Sequence, residues 1–300
     1  MIKHVTHNEL DKIKWDNCID HANNTLIYAY SWFLDVVSPN WEALVYNDYE
    51  AVMPLTHKRK FLINYLYQPF FTQQLGVFSR FENQAELTRS FLVSIPTKFK
   101  YIDVNLNEEN DCESFELKPR KNYVLPIDND YKEIYSAYKD QAKRNIKKAK
   151  QEGVFLQALP HKQVVDFYAK YKGKETKGVK SNDYKTLKKL YKICKKQNYL
   201  MAYGVFTKQH GLLACAVFLM HKDRLIYHMG AANPKGKSCG AMHYLIDALV
   251  VELAGKNMMV DFEGSEKEGI ERFYKSFGAF NKPYFKLKQN FLPRIIAWLK

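Results

Sequence analysis

The chain has 300 residues, of which 46% are hydrophobic and 15% aromatic, and its formal net charge at pH 7 is +14. This length suffices for one large domain or two of ordinary size, and the apolar content excludes an intrinsically disordered chain. The 5 cysteines are far apart and form no C-x-x-C pair. That spacing argues against a disulfide framework or a zinc knuckle, so we expect no metal and a reducing cytoplasm.

Three segments of the sequence bear on membrane association: the N-terminal stretch, one apolar run in the interior and the C-terminal tail. The N-terminal stretch MIKHVTHNELDKIKW lacks the apolar core of a signal peptide, and the longest strongly apolar run, Leu212 to Met220, is too short to span a bilayer. The sequence therefore predicts a cytoplasmic protein without a transmembrane segment. The tail FLPRIIAWLK is amphipathic and basic, and it is expected either to pack on its domain or to touch a membrane surface.

The first half of the chain predicts helices, a β-hairpin and further extended segments. The runs ALVYN and AVMPLT flank the polar turn Asp48-Tyr49-Glu50, which is typical of a hairpin. The predicted elements are a helix at 8–21, a helix around 31–35, strands at 43–47 and 51–56, an extended aromatic run at 65–78, a helix at 82–95 and a strand at 99–106.

A second series of predicted helices and strands begins near Lys118-Pro119-Arg120. The predicted elements are a strand at 122–127, a long basic helix at 131–153, a strand at 154–159, helices at 161–172 and 183–197, a hairpin of 199–206 with 211–221, a strand at 224–230, a loop at 231–240, a helix at 240–254 and a strand at 258–263.

The two halves share one order of elements, in which helices precede a hairpin, a further strand, a helix and a strand. A strand, a helix and a strand at this spacing imply a right-handed crossover between parallel strands of a mixed sheet. We therefore predict an α/β protein with two domains of related plan, at residues 1–120 and 121–300.

The residues near the C-terminus resemble a known family. The run Phe273-Tyr274-Lys275-Ser276-Phe277-Gly278-Ala279-Phe280 lies between MMVDFEG and YFKLKQN, and this arrangement resembles the closing signature of the GNAT acyltransferases. RNIKKAKQEGV at 144–154, the helix at 240–254 and DFEGS at 261–265 look like the FemAB/BioF-like branch. That branch has two GNAT-like domains in tandem, which matches the restart near residue 120.

The resemblance implies transfer of an acyl group to an amine and leaves the donor open. GNAT enzymes use acyl-CoA, whereas FemAB relatives use an aminoacyl-tRNA. The GNAT pyrophosphate loop Q/R-x-x-G-x-G/A has as its nearest match Lys237-Ser238-Cys239-Gly240-Ala241-Met242, and the asparagine usual before the tyrosine is Lys267.

Three residues are candidates for the chemistry of transfer. The resemblance gives Tyr274 the role of general acid toward the leaving group, and the alternative is a tyrosine whose ring packs on the core. Strand alternation is expected to place Asp261 and Glu263 on one polar face beside a cleft, where either could accept the proton of the amine or hold its ammonium. The alternative is a strand that ends at the surface.

Further candidates concern binding. Backbone N–H groups and lysines of the segment 233–240 are expected to hold donor phosphates, although Ser238 could equally be an N-cap. His228 is a candidate for a base or a substrate contact, as is His243 in the following helix, and Gln73 and Gln74 could line an acceptor pocket. The residues predicted to bind the donor are Lys235, Gly236, Lys237, Ser238 and Gly240.

Positive charge is concentrated between Lys139 and Lys196, where 18 Lys/Arg face 5 Asp/Glu for a net charge of +13. Such a segment attracts polyanions, of which tRNA is one, although its lysines could also be a solvated helical face. The leading hypothesis is an acyl-CoA:amine acyltransferase. The alternatives are an aminoacyl-tRNA-dependent transferase that acts on a cell-wall or peptide amine, and an inactive module that binds RNA or the cell envelope.

Overall fold

The computed structural model describes residues 1–82, 84–175, 178–264 and 266–293. The predicted amphipathic tail lies outside the described residues from Arg294 onward. Across the described part of the chain, every helix is too short or too polar to cross a bilayer.

The strands, numbered in chain order through the described ranges, are β1 Ile2–Val5, β2 Glu42–Tyr46, β3 Ala51–Leu55, β4 His57–Lys60, β5 Ile63–Tyr67, β6 Phe78–Ser79, β7 Phe99–Asn105, β8 Leu117–Arg120, β9 Tyr123–Pro126, β10 Phe155–Ala158, β11 Leu200–Thr207, β12 Gly211–His221, β13 Arg224–Ala232, β14 Met259–Asp261, β15 Phe280–Asn281 and β16 Tyr284–Asn290. The two predicted hairpins form as expected, because β2 pairs with β3 and β11 pairs with β12, both antiparallel.

The α-helices in the same ranges are α1 Lys12–His21, α2 Ser31–Val37, α3 Gln84–Val93, α4 Tyr131–Ser136, α5 Asp140–Gln151, α6 His161–Tyr171, α7 Ser181–Lys196, α8 Pro234–Cys239, α9 Ala241–Leu253 and α10 Glu268–Lys275. Short 3₁₀ turns lie at His7–Glu9, Ile27–Ala29 and Gly173–Glu175.

The chain forms two compact units. The first consists of Met1–Arg120 together with the segment that begins at Pro283, and the second is Lys121–Lys282. The first unit has a four-stranded sheet of order β1-β2-β3-β6 and a five-stranded sheet of order β4-β5-β7-β16-β8. Within the second sheet β5 and β7 are parallel, and α3 lies between them in sequence.

The predicted C-terminal domain of 121–300 needs a correction at its end. The last strand, β16, pairs with β7 and β8 of the first unit. It lies there because Leu287, which is 1% exposed, belongs to the same apolar core as Ile102 and Val104 of β7.

The second unit has one seven-stranded sheet of order β10-β11-β12-β13-β14-β9-β15. Strands β13 and β14 are parallel and are joined through α9, so the predicted crossover is confirmed. Tyr227 contacts Met242 of α9, and the next residue, His228, contacts Tyr191 of α7. Because β12 and β13 are buried along almost their whole lengths, both faces of this sheet are covered.

The predicted long helix at 131–153 is wrong in one respect, because it is two helices. Lys139 has an extended backbone between α4 and α5, and its N–H donates to the carbonyl of Ser276 at 2.9 Å. This bond replaces a helical one and ties the start of α5 to the turn that follows α10.

We predict that Leu287→Ala lowers the free energy of unfolding by about 2–5 kcal/mol, because it opens a cavity in the core of the first unit. Lys288→Ala, one residue along the strand and exposed, should change it by less than about 0.5 kcal/mol. Urea unfolding of both variants checks this, and equal small effects would contradict the placement of β16 in the first unit.

Candidate active site

A gap opens in the second unit where β13 and β14 part. The two strands pair only at Arg224↔Met259, Leu225↔Val260 and Ile226↔Asp261. Beyond this point β13 continues to Ala232, whereas β14 ends. The far half of β13 therefore has β12 on one side and an open edge on the other.

A cavity of about 550 Å³ lies along this open edge. The far end of β13 forms one wall, and residues from the starts or ends of five helices form the others. The lining residues are Gln141, Tyr171, Lys172, Glu175, Tyr227, Gly230, Ala231, Ala232, Gly236, Lys237, Gly240, Met242, His243, Lys267, Gly269, Ile270, Phe273 and Tyr274. A cleft of this size is in the range that holds small molecules and cofactors.

The backbone of β13 offers hydrogen-bonding groups to the cavity. Asn233 N–H donates to Leu213 O of β12 at 2.9 Å. Because the direction of these groups alternates along a strand, those of Ala232 and Gly230 point away from β12, toward the open edge. Gly230 cannot carry a side chain here, since a Cβ atom would clash with the hydroxyl of Tyr227.

Tyr274 lines the cavity from α10. Its ring stacks on Phe262, with ring centroids 4.8 Å apart, and the residue is 7% exposed. Burial raises the pKa of Tyr274 well above its usual range, with a smaller contribution from the nearby Tyr227. The phenol therefore stays protonated and can donate a hydrogen bond into the cavity.

Helix α10 is fixed by a surface cluster of charges. Glu271 pairs with Lys121 at 2.7 Å and with Lys275, the residue after Tyr274, at 2.6 Å. These hydrogen bonds lower the pKa of Glu271 to about 2. Lys275 also lies 5.5 Å from the ring centroid of Tyr123, so this lysine holds α10 in place and does not line the cavity.

The segment 233–240, predicted as a loop, is instead the short helix α8. Asn233 caps it by accepting a hydrogen bond from Gly236 N–H at 2.7 Å, and Pro234 takes the first helical position. Gly236 and Gly240 are needed for close packing, because a Cβ atom on either would clash with a neighbouring backbone carbonyl. Gly240, with φ of 80°, is the N-cap of α9.

Among the predicted phosphate-binding residues, Gly236, Lys237 and Gly240 line the cavity. Lys235 instead pairs with Glu152 at 2.8 Å. Ser238 donates to Lys235 O at 2.9 Å and is not an N-cap, so these two positions differ from the expectation.

Three lysines give the cavity a cationic wall, and two of them come from outside the predicted loop. Lys172 ends α6, Lys237 lies in α8 and Lys267 precedes α10. Burial lowers the pKa of Lys172, and the charges of the other two lysines lower it further while Glu175 opposes them. Glu175, the single carboxylate among the described lining residues, pairs with Lys267 at 3.7 Å. The wall keeps a net positive charge and therefore favours an anion.

His243 also lines the cavity, close to the start of α9. Burial lowers its pKa to about 4, so the imidazole is neutral near pH 7. It packs edge-on against Phe273 with centroids 4.7 Å apart, and its Nε2 atom lies 3.4 Å from Nδ2 of Asn145.

No family model matches the sequence, and no curated protein matches it. Solved structures match its fold. FemX gives a TM-score of 0.66 at 12% identity and covers 96% of this chain and 98% of its own. A GNAT-family acetyltransferase from Colwellia psychrerythraea gives 0.54 at 11% identity, over 95% of this chain and 99% of its own. L-PGS from Bacillus licheniformis gives 0.53 at 9% identity, over 86% and 87%.

The chain has a tandem GNAT-like fold. The fold class and the resemblance predicted from the sequence are thereby confirmed. Identities this low show the fold alone.

Asp261 lies at the point where the two strands part, and it is 2% exposed. One of its oxygens accepts a hydrogen bond from Arg224 at 2.8 Å, and the other accepts from Glu263 N–H at 2.8 Å. It does not line the cavity. The contacts therefore give Asp261 a part in holding β13 to β14.

Glu263 lies beyond the strand, because β14 ends two residues earlier and Glu263 adopts φ of 59°. The predicted strand at 258–263 is thus too long, and the alternation argument does not extend to this residue. Burial is the largest cause of the raised pKa of Tyr274 and of Tyr191, and the charge of Glu263 adds to both shifts.

The remaining predicted residues are not among the described residues that line the cavity. His228 is 8% exposed, and its Nδ1 atom lies 2.7 Å from the hydroxyl of Tyr191 on the face opposite Tyr227. Gln73 and Gln74 belong to the first unit, where the amide of Gln74 donates to Gln73 Oε1 at 2.9 Å. Their predicted role in an acceptor pocket stays a prediction.

We predict that Asp261→Asn lowers the free energy of unfolding by roughly 3–5 kcal/mol, because it removes the carboxylate charge that the buried Arg224 guanidinium contacts at 2.8 Å. The exposed neighbour Asp223 is the control, and Asp223→Asn should change stability by less than about 0.5 kcal/mol. A folded Asp261→Asn protein of unchanged stability would contradict the structural role.

Proposed function

We propose that the protein transfers an acyl group from acyl-CoA to an amine, in the cavity between β13 and α10. The observation that carries this proposal is the coincidence of three features in one cavity of about 550 Å³. These are an open strand edge, a wall of three lysines and the protonated hydroxyl of Tyr274.

The open edge of β13 suits the amide-containing arm of CoA. An extended chain with alternating amide groups can bind to an unpaired strand edge as an additional strand would, and Gly230 and Ala232 offer the backbone groups. Lys172, Lys237 and Lys267 would meet the phosphates, aided by the partial positive charge at the start of α9. The donor's acyl carbonyl then lies toward Tyr274.

In the proposed reaction, the neutral nitrogen of the amine attacks the thioester carbonyl carbon and forms the C–N bond. As the tetrahedral intermediate collapses, the C–S bond breaks and the sulfur departs with the electron pair. Tyr274 donates the hydrogen bond or proton that stabilises this thiolate. The nitrogen loses its proton to a base, for which we propose Glu263, because the charge of this carboxylate acts on Tyr274.

One observation favours a second candidate, an aminoacyl-tRNA-dependent transferase. The basic segment 139–196 supplies Gln141, Tyr171, Lys172 and Glu175 to the cavity wall. A segment of this charge next to the site would attract the phosphates of a polynucleotide. In this case the leaving group is a ribose hydroxyl, and Tyr274 would protonate that oxygen.

We predict that Tyr274→Phe folds normally and lowers kcat by about 10²- to 10⁴-fold, because the acid is lost while the ring that packs on Phe262 is kept. Tyr138→Phe is the matched control, since Tyr138 is 3% exposed and its hydroxyl is without a partner among the described residues. An unchanged kcat in Tyr274→Phe, measured with saturating donor and amine, would rule out the acid role.

The two donors are separated by two sets of lysines. If acyl-CoA is the donor, K172Q/K237Q/K267Q should raise the donor KM by roughly 10- to 100-fold, because charge-assisted contacts to the phosphates are lost. Lys143, Arg144, Lys147 and Lys148, replaced together by Gln, should leave that KM unchanged.

The aminoacyl-tRNA alternative gives the opposite pattern. The variant with Gln at positions 143, 144, 147 and 148 should then bind tRNA more weakly. The slope of log K against log[salt] should become less negative, by about 0.7 to 0.9 for each phosphate contact removed. RNA binding without turnover on either donor would instead support the inactive binding module.

A further inference from the structure

The hairpin of β4 and β5 in the first unit carries two large apolar side chains at its tip. Phe61 is 71% exposed and Leu62 is 80% exposed. The register, which pairs Lys60 with Ile63, leaves these two residues as the whole turn. The Lys60 ammonium lies 5.4 Å from the centroid of the Phe61 ring, and both apolar side chains still face largely into solvent.

The backbone of this turn is also unfavourable for these residues. Phe61 has φ of 47° and Leu62 has φ of 65°. A two-residue turn with two positive φ angles is of the type that Asn-Gly favours, because bulky side chains disfavour the left-handed region. The sequence thus keeps Phe and Leu at a place where smaller residues would give a more stable fold.

Cations precede the tip. Lys58, Arg59 and Lys60 are all exposed on β4, which is an edge strand of its sheet. Lysines on an edge strand often serve only to prevent pairing with another sheet. That role explains the three charges and leaves the exposed apolar pair unexplained.

We propose that this hairpin binds the surface of an anionic phospholipid bilayer. Phe61 and Leu62 enter the boundary between headgroups and acyl chains, and the three cations of β4 lie against the lipid phosphates. This inference does not depend on the proposed acyl transfer.

A bilayer fits the tip better than a protein partner does. A stable protein interface buries about 800 Å² on each side and needs a complementary surface, whereas two protruding side chains offer neither. A lipid surface needs no matching shape, and its negative charge complements the three adjacent cations. Binding by so small an apolar anchor should be reversible and sensitive to salt.

The test is co-sedimentation of the full chain with vesicles. The protein should bind vesicles of phosphatidylcholine that contain about one-quarter phosphatidylglycerol, and it should not bind vesicles of phosphatidylcholine alone. Salt at about 1 M should release it, because the screening length falls to about 3 Å.

The variant F61N/L62G distinguishes a loss of insertion into the bilayer from a loss of folding. It should lower the partition coefficient by about 10- to 100-fold, because the apolar contacts are lost, and it should keep or raise Tm, because it relieves the turn. K58Q/R59Q/K60Q should weaken binding to anionic vesicles, because three charges next to the tip are lost. Ile13→Ser is the control, because Ile13 is 85% exposed but lies between two lysines that are paired with aspartates.

Four results would overturn the proposal. They are no binding of the wild type to anionic vesicles, equal binding to neutral vesicles, full binding by F61N/L62G, and an equal loss in Ile13→Ser. A wild-type dimer in light scattering that F61N/L62G converts to a monomer, without lipid binding, would show that the tip is an interface between copies of the chain.

Discussion

The arrangement of the second unit depends on the brief pairing of β13 with β14. Three residue pairs hold these parallel strands together, and the Arg224–Asp261 ion pair, at 2.8 Å, joins them just where they part. Because both charges are buried, the loss of either one removes a compensating charge from the interior. The ion pair therefore helps to hold β13 to β14 up to the gap, and the gap determines where a ligand can reach the open edge of β13.

The rest of the site follows from what surrounds this gap. Helix α10 lies against the cavity, and its Tyr274 forms part of the cavity wall. The hydrogen bond from Lys139 N–H to Ser276 O connects the start of α5 to the end of α10. The cationic wall is assembled from three distant segments, at Lys172, Lys237 and Lys267. A cavity of this charge is unfavourable when it holds only water and becomes favourable when it holds phosphate groups, which is why we relate it to the donor.

The sequence predicted which helices and strands form better than it predicted which distant segments each of them contacts. Hydrophobic periodicity located the crossover of β13, α9 and β14, and the pattern around Tyr274 located one residue of the cavity wall. The return of β16 to the first unit and the break at Lys139 could not be predicted, because each depends on a contact with a segment distant in sequence. Lys172 was missed for the same reason, since only the folded chain brings the end of α6 to α10. Helix α8 was a different kind of error, because Asn233-Pro234 is a readable helix start that was interpreted as a loop.

The most direct test of the account is a crystal structure of the protein with CoA bound. We expect the amide-containing arm of CoA to lie along Gly230 to Ala232. The phosphates should be within hydrogen-bonding distance of Lys237 and of at least one of Lys172 and Lys267. The sulfur should lie next to the Tyr274 hydroxyl. CoA bound elsewhere on the chain, or a cavity that stays empty of CoA in crystals grown at millimolar ligand, would contradict it.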